Sequence, residues 1–159
     1  MFALVIADRE IPSLAELAGR THAELEALFA APGPIAVPEG RFRGAYLLRF
    51  DTAETRRASS RLWHQAFRRL PFGVDFASRT WFFGDPRLRT GRFEPRAAPS
   101  RWRETEVIAL HYHVSRLPAA IRDQLYDEIK PLGESLCLGI GGVNAERGRG
   151  EHFWFALER

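Results

Sequence analysis

The chain has 159 residues, 45% hydrophobic and 27% charged, which suits one globular domain burying about 70% of the surface its unfolded form exposes. No apolar run approaches the ~20 residues of a membrane-crossing helix, and the opening MFALVIADRE lacks the basic start and apolar length of a secretory signal. Cys137 is the only cysteine, which excludes an intrachain disulfide and a thiolate metal cluster. Lys130 is the only lysine among 23 basic residues, so a net charge of +3 reflects arginine-rich composition rather than a basic face. The expected location is the cytoplasm.

In chain order, Ser13–Ala31 reads as helix in two pieces. Ser13 with Glu16, and Thr21 with Glu24, each have the spacing that caps two orphan amides reciprocally. Gly19 lies between them, and Pro32 and Pro34 end the segment. Arg41–Phe50 reads as a strand. Asp51 with Glu54 starts a second helix through about Arg69, whose Trp63, Phe67 and Leu70 recur at helical spacing. Phe72–Phe93 reads as two strands joined by a turn at Gly84-Asp85-Pro86, and EPRAAPSRWRE (94–104) as a loop. Glu106–Val114 is a strand. Pro118–Lys130 reads as a three-turn helix, with Ile121, Leu125 and Ile129 at i, i+4 and i+8. Ser135–Val143 and Glu151–Leu157 then form a hairpin across NAERGRG.

With no repeats or long linkers, residues 1–159 form one domain, helical at 13–31 and sheet-based over 41–158. The late run of strands favours an α+β fold with an antiparallel sheet. Curling that sheet into a barrel or half-barrel would remove its exposed edges.

Histidine and aromatic residues carry the candidate chemistry. His111 and His113, two apart in VIALHYHV, share a strand face, and His152 is available as a third ligand if a metal binds. Without a carboxylate at fixed spacing, the same histidines suit proton transfer, with Asp127, Glu128 or Asp123 as orienting acids. The competing reading makes RDQLYDEIK a solvated helix face. Trp81, Tyr112 and Trp154, with His152, are placed to line the sheet's concave side. An unfilled barrel interior would hold an apolar ligand, and a filled one would simply be core. Arg56, Arg57, Arg61, Arg68 and Arg69 flank Trp63 and Phe67 on a helix that could meet phosphates or anionic lipid. A solvated amphipathic helix is the stronger reading of them. No dinucleotide, Walker, nucleophile-elbow or HExxH motif is present, so no organic cofactor is expected. Cys137, inside LCLGI, reads as an inert buried thiol.

The run IALHYHVSRLPAAIRDQLYDEIKPLGESLCLGIGG, closing with FWFALER, resembles an uncharacterised group of small bacterial proteins. These carry a G-R-x-x-G strand, a D-Y pair, a D-E-I-R helix end, an L-Y-L-G strand and a closing F-A-L-E. Gly40–Gly44 approximates the first element. Tyr112, Asp127–Lys130, Leu136–Gly139 and Phe155–Glu158 match the others. His111 replaces the group's aspartate, Tyr126 replaces an arginine, and a W-x-G-K-x-F element is approximated at Trp63–Phe67. The resemblance implies a lipocalin-like, or calycin-like, barrel and no particular activity.

The leading expectation is a protein that binds a small apolar or aromatic ligand within the barrel, through Trp81, Tyr112, Trp154 and His152. The alternative is a cofactor-independent cyclase, isomerase or hydrolase using His111, His113, Asp127 and Glu128. Neither reading needs a nucleic acid, a membrane or a bound metal, and the sequence leaves a homodimer open.

Overall fold

The structure is a computed structural model that describes residues 11–159; the expectation of no secretory signal falls on residues 1–10, outside the described residues. Among the described residues no helix is long and apolar enough to cross a membrane.

Two short helices, α1 (Leu14–Ala18) and α2 (His22–Ala30), open the described chain. Both expected capping boxes form, and Gly19 ends α1. The described residues form nine strands, β1 (Arg41–Arg49), β2 (Phe72–Asp75), β3 (Thr80–Phe83), β4 (Arg89–Arg92), β5 (Glu94–Pro99), β6 (Glu106–His111), β7 (Leu125–Pro131), β8 (Leu136–Val143) and β9 (Glu151–Glu158). They form one antiparallel sheet in the order β4-β3-β2-β1-β9-β8-β7-β6-β5. Its edge strands β4 and β5 are separated in sequence only by Phe93. Residues 89–99 thus pair with β3 through their first half and with β6 through their second, bringing the sheet nearly round into a barrel.

Three expectations need correction. The 94–104 loop is strand β5 over its first six residues. A strand bonded on one flank tolerates Pro95 and Pro99, because their missing N–H groups can fall on the unpaired side. The helix expected at 118–130 shrinks to α4 (Ala119–Arg122), and Leu125–Pro131 is β7. In β7, Leu125 and Ile129 join the inner cluster while Tyr126 joins the outer one, a period of two that outcompetes the i, i+4 pattern. The helix expected from Asp51 begins only at Ala58, as α3 (Ala58–Arg69). Before it, Thr55 Oγ donates to the Phe50 carbonyl at 2.6 Å and accepts from the Thr52 N–H at 3.0 Å. Such side-chain bonds offer the backbone an alternative to helix.

Both faces of the barrel wall are packed. Outside, α1 and α2 lay Leu17, Leu25 and Phe29 over Leu138, Ile140, Trp154 and Ala156. Arg103 fastens this layer, donating to Glu26 at 2.5 Å and to buried Glu151 at 2.7 Å. Inside, Phe42, Val74, Trp81, Ile108, Leu110, Ile129, Phe155 and Leu157 meet. Gly139 faces Phe155 across the β8–β9 ladder, and Gly141 faces Phe153. A Cβ at Gly139 would lie 2.3 Å from the Phe155 ring, and one at Gly141 would lie 2.5 Å from Phe153. The missing side chains let these rings lie flat across the strand, a cross-strand rescue of glycine by an aromatic. Rings therefore fill the interior at these layers. Cys137 belongs to the same core, and burial pushes its thiol up to about 12. At one end α3 lies over the barrel, placing Phe67 against Phe72, Phe83 and Phe153 at 4.7, 5.7 and 5.1 Å between ring centroids.

Candidate functional site at the barrel mouth

At the same end, where β6 leads through α4 into β7, a cleft of about 240 Å³ is lined by Arg101, His111, Tyr112, His113, Arg122, Asp123, Leu125, Tyr126 and Asn144. Its parts come from both sides of the sheet. Residues 111 and 112 alternate, so His111 lies over Tyr126 on the outer side, with ring centroids 5.7 Å apart. Tyr112 packs inward against Phe93 and Trp81.

Tyr112 is the hinge of a buried polar chain. The Trp81 indole N–H donates to the Tyr112 hydroxyl at 2.6 Å, and that hydroxyl donates to Asp127. Asp127 also accepts from the Gly142 N–H at 3.2 Å. Burial raises the Asp127 carboxyl to about 6, the hydrogen bonds from Tyr112 and Gly142 opposing the rise. Burial, with the carboxylate beside it, raises the Tyr112 hydroxyl well above its ordinary value. A carboxyl that changes charge near neutrality, hydrogen-bonded to a phenol lining a cleft, is equipped to hold or pass a proton.

The outer side of the cleft is cationic. The Arg101 guanidinium lies 4.3 Å from the centroid of the Tyr126 ring and donates to Asn144 Oδ1. Among the described residues no carboxylate lies within salt-bridge distance of it, whereas Arg122 is paired with Asp123 at 3.2 Å and Arg96 with Glu94 at 3.1 Å. Burial lowers the His111 pKa, aided by Arg96 and His113. His113 lies beyond the end of β6, its Nε2 2.9 Å from Glu94.

The sequence-derived candidates are thus partly assembled and partly dispersed. His111, His113 and Tyr112 meet at the cleft, and Asp127 lies behind Tyr112. Asp127 does not orient either histidine: it faces the barrel interior and takes Tyr112, while His113 takes Glu94. Glu128, on the outer face, accepts from Ser100 Oγ at 2.5 Å, the Arg101 N–H at 2.7 Å and Tyr126 at 3.0 Å. With those three donors it anchors the loop that presents Arg101, and burial raises its pKa. Trp81 contributes through Tyr112. Trp154 does not face the interior. It lies under α2 at 5.5 Å from Phe29 and donates to His22 at 3.1 Å. The third metal ligand expected at His152 also fails to join His111 and His113, because its ring neighbours His64, 6.3 Å away.

A wider concavity of about 510 Å³ is lined by Arg41, Asp85, Pro86, Arg87 and Arg89. It lies open on the outer wall, and Arg41 and Arg89 share Asp75 there at 3.9 and 3.8 Å. The mouth cleft has the richer chemistry.

No protein-family model matches the chain, and no curated protein matches it. A solved structure does: the crystal structure of a protein from Thermomonospora curvata aligns with a TM-score of 0.54 at 16% identity, covering 88% of each chain. The likeness is one of fold. It supports the barrel across most of the chain and carries no activity with it.

Sequence reasoning missed Arg101, which lay in a segment read as loop, and His64, which lay in a helix read as solvated. His64 stands three residues before Phe67 on one helix face, and that spacing beside a core aromatic was the available signal.

Proposed function

We propose that this barrel binds a small molecule at its mouth, and that the ligand carries an anionic group together with a flat apolar part. The observation that carries this reading is Arg101, a guanidinium without a carboxylate partner among the described residues, stacked on Tyr126 at the cleft wall. An arginine so placed binds a carboxylate or phosphate through paired N–H donors, and the Tyr112, Tyr126 and Leu125 side chains offer apolar surface beside it. The ligand-binding expectation is kept, but the packed interior moves the ligand to the mouth and makes its recognition partly ionic.

The test is a titration by isothermal calorimetry and amide NMR with benzoate and phenyl phosphate, using benzamide as the neutral control. The anions should bind, benzamide should bind at least about tenfold more weakly, and Arg101→Ala should abolish the difference. Equal binding of benzamide, or perturbed amides only outside the cleft, would overturn the reading.

A second reading, acid–base catalysis, is favoured by the Asp127–Tyr112 pair with its carboxyl near 6. Phenylpyruvate is a suitable probe, since it combines a carboxylate, an aromatic ring and an acidic C–H. Exchange of its methylene hydrogens for deuterium should be accelerated by the protein and lost in Asp127→Asn by roughly 10²-fold or more. Exchange at the buffer rate would refute catalysis and leave binding.

A further inference from the structure

Across β8 from that cleft, beneath α3, lies a second polar cluster that the proposed function does not use. His64 projects from α3 into the barrel end and is buried at 3% exposure. Its Nδ1 is 3.0 Å from the Tyr46 hydroxyl, and Tyr46 stacks on Phe153 at 5.4 Å. His152, at the start of β9, stands beside it, the ring centroids being 6.3 Å apart. The Nε2 atoms of both histidines are buried and have no hydrogen-bond partner. A buried polar atom left unpaired costs about 1–3 kcal/mol, so two adjacent ones point to an occupant.

The tautomers define that occupant. A phenol is a better donor than acceptor, so Tyr46 donates to His64 Nδ1, and the neutral imidazole carries its hydrogen on Nε2. At His152, whose Nε2 is likewise unpartnered, a ring carrying its hydrogen on Nδ1 leaves a lone pair on Nε2. Both rings are held neutral by burial, His64 at about 4, with Arg49 adding to the effect at His64. With that tautomer the two Nε2 atoms offer one N–H donor and one nitrogen acceptor, and a single hydroxyl group satisfies both.

Magnitudes separate this occupant from a metal ion. An oxygen about 2.9 Å from each Nε2 sits about 4 Å from each ring centroid, and two such arms at a tetrahedral angle span about 6.5 Å. A metal at about 2.0–2.1 Å brings each centroid to about 3.2 Å, so the observed separation would demand an almost straight N–metal–N line. Among the described residues no group of three or more His, Cys, Asp or Glu side chains is placed to hold a metal ion.

We infer that His64 and His152 form a second binding site, which takes the hydroxyl group of a small aromatic alcohol or phenol between their Nε2 atoms. The hydroxyl donates to His152 and accepts from His64. The rings of Tyr46 and Phe153 meet His64 edge to face, with Phe67 packed against both, and offer the ligand's flat body its apolar contact.

The experiment is two-bond ¹H–¹⁵N NMR of the histidine rings in the wild-type protein, alone and titrated with phenol, benzyl alcohol and toluene. The expected spectrum shows hydrogen on Nε2 of His64 and on Nδ1 of His152, and the hydroxylated probes shift both Nε2 resonances. Toluene, which has nearly the shape of phenol without the hydroxyl, should bind at least about tenfold more weakly. His152→Leu should reduce phenol to the affinity of toluene. Hydrogen on Nδ1 of His64, equal binding of toluene, or silent histidine resonances under phenol would each overturn the assignment. The last result would leave a bound water as the occupant. Benzoate binding at Arg101 is read on different resonances, so either site can fail without the other.

Discussion

Replacing Gly139 by alanine tests whether the barrel is filled. The new Cβ would stand 2.3 Å from Cζ of Phe155 and 2.6 Å from both ring Cε atoms. To reach an ordinary contact of about 3.5 Å, the ring must retreat by about 1 Å. It has no easy retreat: Phe155 is 1% exposed, and its ring centroid lies 5.7 Å from Trp81 and 5.9 Å from Phe153. Gly139 is itself held in ladders to β7 and β9. Overpacking of this kind costs about 1–3 kcal/mol, and a clash with a ring held on both sides belongs in the upper half of that range. Urea denaturation followed by tryptophan fluorescence should show the midpoint falling by roughly 1 M with an unchanged slope. Pairing the change with Phe155→Leu should recover at least about 1 kcal/mol relative to the sum of the single changes. A Gly139→Ala midpoint equal to wild type would refute the reasoning, since slack at that layer means a cavity and returns an apolar ligand to the interior.

The Asp127 carboxyl stands at about 6 against an ordinary 3.8, so the fold favours its protonated form. That contribution is fully present below about pH 4 and is lost as pH rises through about 6. It amounts to at most about 3 kcal/mol, at about 1.4 kcal/mol for each pKa unit. Urea midpoints between pH 4 and 7 should therefore carry a downward component that Asp127→Asn removes; an identical pH slope in the variant would contradict the assignment. Arg103→Met strands Glu151, which is 3% exposed, and should cost about 3–5 kcal/mol in the same assay. Adding Glu151→Gln should restore part of that loss, and a single variant as stable as wild type would show that the ion pair does not fasten α2.

What was legible in the sequence is what local chemistry decides. Ser13-x-x-Glu16 and Thr21-x-x-Glu24 capped their helices because each motif closes its own hydrogen bonds. The strand at 41–49 followed from its aromatic residues and partial alternation, and the closing hairpin from the glycine-bearing loop between two apolar runs. β7 was not legible, because its outward residues Tyr126, Glu128 and Lys130 are all buried beneath other elements. Their polar ends are met by Ser100, Arg101 and Thr105 from elsewhere in the chain, so the alternation never appears as apolar against polar. At the candidate cleft, the grouping of His111, Tyr112 and His113 was legible because neighbours on a strand end stay neighbours. Arg101 and the His64–His152 pair were not, because each depends on contacts between elements far apart in sequence.

The position of β9 in the sheet also bears on how the chain folds. It lies between β1 and β8, with Arg43 opposite Glu158 across a span of 115 residues. The eight other strands of the described residues are synthesised before it. Until β9 docks, the half containing β1–β4 and the half containing β5–β8 each present a bare edge, open to pairing with another chain. Joining them is a long-range closure, which predicts slow folding for the chain's size and places the aggregation hazard in the interval just before that strand arrives.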